Sequence, residues 1–128
     1  MSADLTTAIA EYQQELGVRP GTFCAYDVSV AGVADLCDDA IRAAWGVDKA
    51  SLLAAWKSIL LVQRRRPPTW DIADRLRNAG AAGALVPSAQ IKGGINLVLW
   101  RWNDASGRTV RALDPLGGLP ADPASWRC

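Results

Sequence analysis

The sequence predicts one α+β domain, a mixed β-sheet with flanking helices. Three observations carry this. Helix-spaced apolar segments alternate with short runs of β-formers. No repeat, linker or low-complexity stretch divides the chain, so residues 1–128 read as one domain. Half of the residues are hydrophobic, enough for one buried core and too many for a disordered chain.

The elements follow in order. Residues 4–16 read as a helix, with Leu5, Ala8, Ile9, Tyr12 and Leu16 at helical spacing, Asp4 as cap and Gly17 as stop. After the Pro20-Gly21 turn, residues 22–30 alternate and read as a strand, with Cys24 filling the core from mid-strand. Residues 33–37 are extended and lead into a helix over 40–45, capped by Asp38 or Asp39 and ended by Gly46. A longer helix spans 49–63, with Leu52, Leu53, Trp56, Ile59 and Leu60 on one face, and the Arg64–Arg66 run and two prolines break it.

Thr69 caps a third helix over 70–78. Its acidic start (Asp71, Asp74) and basic end (Arg75, Arg77) complement the helix dipole. Residues 84–86 make a short buried strand and Lys92-Gly93-Gly94 a loop. Residues 95–102 make the strongest strand, on which Trp100 and Trp102 share one buried face. A last strand covers 109–113, and an ordered tail packs Trp126 back on the body.

Composition removes several function classes. There is no histidine, which excludes Ser-His-Asp and Cys-His catalysis within this chain and His-ligated zinc. A net charge of +1 supplies no global field for nucleic acid. The odd count of three cysteines, with no CxxC pair, argues for reduced thiols in a cytoplasmic protein. No apolar run reaches the length of a membrane span and no secretory pattern opens the chain. Chemistry therefore falls to carboxylates, hydroxyls, amides, Lys, Arg and backbone groups.

Few residues offer it. Glu11 lies among apolar helical neighbours; it points either into a cleft or to solvent, the commoner fate of a helical Glu. Ser88 follows a strand end, where ligands collect in α/β sheets; it is a ligand contact or a turn serine bonding its own backbone. Gly93-Gly94 allows close approach to a ligand, and serves a hairpin equally well. Asn96 opens an apolar strand as a satisfied edge group or a ligand contact. The Arg64–Arg66 run, without interleaved aromatics, reads as a solvated loop.

Six ordered segments add a resemblance: TTAIAEY (6–12), VADLC (33–37), IRAAWGV (41–47), IADRLRNAG (72–80), ALVPSA (84–89) and GGINLVLW (93–100). Together they resemble the RES domain, whose pattern runs "TAxAE", "DLTD…LG", then "A…R.AG..G…PSA…GG.N.VLF". The resemblance covers nearly the whole chain and identifies Glu11 and Ser88 with the family's Glu and Ser. The family's Arg and a nearby Tyr belong to a segment preceding the Glu helix. The chain starts just before that helix, so the expectation is a domain N-terminally truncated relative to the family. Gln90 stands where an Arg commonly follows "PSA", and Lys92 is the nearby substitute cation.

The resemblance implies an ADP-ribosyltransferase-like fold and the toxin of a two-gene toxin–antitoxin module. Such toxins break the nicotinamide–ribose bond of NAD and pass ADP-ribose to a protein, water or phosphate. On that reading Glu11 and Ser88 are catalytic. Ser88, Lys92, Gly93 and Asn96 contact NAD, which is the substrate, and no metal takes part. The implied partners are an Xre-type helix-turn-helix antitoxin and a second copy in a homodimer. Two other readings stand beside it: an inactive RES-like domain that only binds its antitoxin, and an α+β domain with no tie to NAD.

Overall fold

A computed structural model describes residues 1–13, 20–120 and 122. It is an α+β domain, as expected, with a mixed three-stranded sheet. Strand β2 (Val33–Asp35) pairs in parallel with β3 (Gly83–Pro87), and β3 pairs antiparallel with β4 (Ile95–Leu99). Parallel neighbours need a long crossover. Here it holds four helices: α2 (Asp39–Ala44), α3 (Lys49–Leu52), α4 (Trp56–Leu61) and α5 (Pro68–Asn78). Strands β1 (Ala25–Ser29) and β5 (Thr109–Leu113) form a separate antiparallel ribbon.

The free edge of β4 is covered by residues 1–3. Ser2 bridges Asn96 antiparallel. The Ala3 N–H donates to the Ile95 carbonyl at 2.9 Å, and the Leu97 N–H donates to the Met1 carbonyl at 2.7 Å. Helix α1 (Leu5–Gln13) follows at once.

The core is Leu36, Val47, Ile72, Leu76 and Ala84, with Trp45, Leu52, Val86 and Trp100 packed against it. Helix α5 organises it by turning Ile72 and Leu76, four residues apart, onto the sheet. It starts two residues before the expected position. Pro67 is its N-cap and Pro68 its first residue, so Thr69 is not the cap. Proline suits that place because its missing N–H would be unbonded there and its φ is already helical. Asp38, not Asp39, caps α2 by accepting the Ile41 N–H at 2.9 Å.

Several expectations fail for physical reasons. The helix read over 49–63 is two short ones. Asp48 caps α3, accepting from the Ser51 N–H at 2.8 Å and its hydroxyl at 2.6 Å. No Gly or Pro marks the break at residues 53–55; packing makes it, because Leu52 joins the core while α4 buries nothing. Strand β4 stops at Leu99, since the N–H groups of Trp100 and Arg101 both donate to the Ala82 carbonyl, just before β3 begins. Trp100 then reaches the core, but Trp102 is 51% exposed, so the two do not share a buried face. Cys24 is exposed and precedes β1, which has no covering layer to make a core there.

The Arg64–Arg66 run is an exposed loop, as expected, and Arg66 within it is paired. It bonds Asp71 at 2.5 Å and pairs with Asp74, with its guanidinium 5.6 Å from the Trp70 ring centroid. Leu16, Gly17 and Trp126 lie outside the described residues. Among those described, no helix is long and apolar enough to cross a membrane.

The division between core and surface predicts unequal costs for one chemical change. Leu76→Ala, at a fully buried site, is expected to destabilise the chain by about 2–5 kcal/mol. Leu61→Ala, on exposed α4, is expected to stay within about 0.5 kcal/mol. Urea unfolding followed by tryptophan fluorescence measures both.

Candidate functional site

Helix α1 turns the unexpected face inward. Its apolar residues Leu5, Ile9 and Tyr12 are all more than a third exposed, while Thr7 is 2% exposed and is the helix's buried residue. Thr7 and Glu11, four residues apart, share the face that meets the sheet. The helical spacing of Leu5, Ala8, Ile9, Tyr12 and Leu16 marks the apolar face, but polar contacts with the β3–β4 connection decide how the described part of the helix is turned. Asp4 caps as expected, accepting the Thr7 N–H at 2.8 Å and the Thr7 hydroxyl at 2.7 Å.

The connection from β3 to β4 lies against this face. It closes on itself: the Ser88 N–H donates to the Gly94 carbonyl at 2.8 Å, and the Gly94 N–H to the Ile91 carbonyl at 3.1 Å. Ser88 Oγ accepts the N–H groups of Gln90 and Ile91 at 3.1 and 3.2 Å. With both lone pairs engaged, the hydroxyl proton has one direction left. It donates to Glu11 Oε1 at 2.7 Å. The turn-serine reading of Ser88 therefore holds, and the same hydroxyl also contacts Glu11.

Gly94 permits this approach. A Cβ there would lie 2.7 Å from Thr7 Oγ1, so only glycine lets the turn rest on α1. Gly93 differs: a Cβ would meet nothing, and its φ of +84° is what favours glycine.

Asn96 completes the group. Its Nδ2 donates to Glu11 Oε1 at 2.6 Å, and its Oδ1 accepts from Ser2 Oγ at 2.7 Å. Glu11 is thus a half-buried carboxylate with two neutral donors on one oxygen. Its other oxygen, Oε2, takes no hydrogen bond from a described residue. Among the described residues every buried side-chain polar atom has a partner, so Oε2 reaches solvent.

The structure brings together Glu11, Ser88 and Asn96 and leaves Lys92 and Gly93 exposed on the turn, out of contact with the carboxylate. Sequence reasoning missed Ser2 and the role of Thr7. The spacing of Asp4, Thr7 and Glu11, one polar stripe on a helix, was the available signal for Thr7. Two clefts lie away from this group. One of about 380 Å³ is lined by Asp74, Arg77, Trp100 and Arg101. The other, of about 430 Å³, lies between β2 and α2 beside Trp45.

The site presents a carboxylate to which no cation is bonded among the described residues. Such a carboxylate suits a partner that is, or becomes, positive, or one that offers hydroxyl donors. Fold and site together define a small α+β domain with an anchored carboxylate at the end of a mixed sheet. The chain belongs to the RES domain family, which matches residues 1–123. Membership supports the role of toxin in a toxin–antitoxin module, with an antitoxin as partner. No curated protein and no solved structure matches the chain.

The anchoring of α1 predicts a pH dependence. The Thr7 backbone N–H, and then its hydroxyl, hold the Asp4 carboxyl below the ordinary value. The charged form is therefore favoured by folding. This contribution is complete above the unfolded aspartate range, about 4, and disappears as pH falls through the lowered value. Asp4→Asn is expected to make stability fall less steeply as pH drops below about 4. Urea midpoints across that range check it.

Proposed function

We propose that this chain is an NAD-consuming toxin that breaks the nicotinamide–ribose bond and passes ADP-ribose to a protein, water or phosphate. One observation carries the reading. Ser88 and Asn96 both hold Glu11 by Oε1, which leaves Oε2 reaching solvent and, among the described residues, without a cation bonded to it.

The chemistry follows from charge. As the C–N bond to nicotinamide lengthens, its electron pair leaves with the nicotinamide and the ribose becomes oxocarbenium-like. A fixed carboxylate beside the ribose stabilises that charge and accepts from a ribose hydroxyl. Glu11 Oε2 is the atom for both tasks. Ser88 and Asn96 keep it aimed, so little reorganisation accompanies the charge change. The acceptor oxygen then forms the new C–O bond at the anomeric carbon, and any proton that it carries passes to solvent. On this reading Ser88 and Asn96 also line the nicotinamide end, Gly93 lets backbone approach the nucleotide, and exposed Lys92 supplies positive charge toward the pyrophosphate.

The partners belong to the same proposal. They are an Xre-type helix-turn-helix antitoxin that covers the site and a second copy in a homodimer, with the cytoplasm as the compartment. Exposed apolar side chains on α1 and α4, including Leu5, Trp56 and Leu61, offer surface for protein contacts.

Nicotinamide release from NAD, followed by proton NMR, tests the reading. The chain is expected to release nicotinamide, and Glu11→Gln to slow this by about 100-fold or more. Expression without the antitoxin is expected to stop growth, and Glu11→Ala or Ser88→Ala to relieve the arrest. A folded chain that releases no nicotinamide and leaves growth unchanged refutes the proposal. Tight antitoxin binding without turnover points instead to an inactive, antitoxin-binding domain.

A further inference from the structure

Ser2 bonds Asn96 and not Glu11 itself. It bridges Asn96 across the edge of β4, and its hydroxyl donates to Asn96 Oδ1 at 2.7 Å. The other end of the same amide donates to Glu11 Oε1 at 2.6 Å. The order is Ser2 to Asn96 to Glu11, with Ser88 reaching the same carboxylate oxygen from the other side.

An amide has two unlike ends. Turned over, Asn96 would set its oxygen against the Glu11 carboxylate, two acceptors with no proton between them. The Ser2 hydroxyl gives Oδ1 a donor on the far side, so the favourable orientation satisfies both ends. The aim of Ser2 does not depend on its side chain. It comes from backbone pairing, Ala3 N–H to the Ile95 carbonyl and Leu97 N–H to the Met1 carbonyl.

We infer that Ser2 is a positioning residue: through its hydroxyl bond to Oδ1 it fixes the Asn96 amide so that Nδ2 stays on Glu11. Its effect on catalysis rests on the function proposed above; its effect on Asn96 does not. Without the hydroxyl, the amide rotates more freely, and Oε2 loses part of its fixed direction.

The test compares Ser2→Thr with Ser2→Val, which share shape and strand preference and differ by the hydroxyl. The first readout is the Asn96 side-chain amide in a nitrogen-15 NMR spectrum. Ser2→Thr is expected to keep the native position and slow exchange of these protons, and Ser2→Val to lose both, with β4 backbone signals unchanged in each. The second readout is nicotinamide release. Ser2→Val is expected to lower kcat by roughly tenfold, the scale of one lost hydrogen bond, at unchanged KM. It is expected to add nothing in an Asn96→Ala background.

An unaltered Asn96 amide in Ser2→Val overturns the inference, as does an effect that adds fully to Asn96→Ala. If no variant and not even the native chain releases nicotinamide, the enzyme reading fails, while the amide comparison still decides the role of Ser2.

Discussion

A single carboxylate oxygen ties helix α1 to the end of the mixed sheet. Glu11 Oε1 takes the Ser88 hydroxyl and the Asn96 amide, and those residues come from the end of β3 and the start of β4. Hydrogen bonds to an ionised group are worth roughly 1.5–3 kcal/mol each, about twice the neutral kind. The pair is strong enough to set how α1 lies on the sheet. It leaves Leu5, Ile9 and Tyr12 outward, a cost in burial that no helix would accept for packing alone. Local preference and tertiary placement disagree on this helix, and such disagreement collects at functional sites.

The rest of the architecture serves that end of the sheet from a distance. The apolar core lies between α5 and the three-stranded sheet and contains no site residue. It packs β3 through Ala84 and Val86, and Ser88 directly follows β3. Gly94 brings the return turn down onto Thr7, and the Asp4 cap fixes the first turn of α1. Residues 1–3 seal the edge of β4 and bring the Ser2 hydroxyl to Asn96. Stability and site are thus built from different residues.

Much of this was legible in the sequence. The order of helices and strands, the Asp4 and Asp38 caps and the charge bias of α5 follow from local rules that tertiary contacts did not override. Glu11, Ser88 and Asn96 were legible as candidates from residue type and position. Their meeting was not, because residues 85 apart carry no mark of contact in one sequence. The rotation of α1 was hidden for another reason. Periodicity reports which side of a helix is apolar, and a charged anchor can turn the other side inward. Ser2 was invisible because three residues are too few to show a strand pattern. The split between α3 and α4 was unmarked, since packing rather than a Gly or Pro makes it. The Lys92 assignment came with the family resemblance and that of Gly93 from its glycine pair, and the described geometry sets both on an exposed turn.

The central claim is that a nucleotide binds with its ribose against Glu11. Binding of a non-cleavable NAD analogue, mapped by NMR shifts of backbone and side-chain amides, tests it most directly. The account predicts the largest shifts at Glu11, Ser88, Asn96 and the turn through Gly93, with the Asp74–Arg101 cleft undisturbed. Shifts centred on Arg77, Trp100 and Arg101, or none at millimolar analogue, would contradict it.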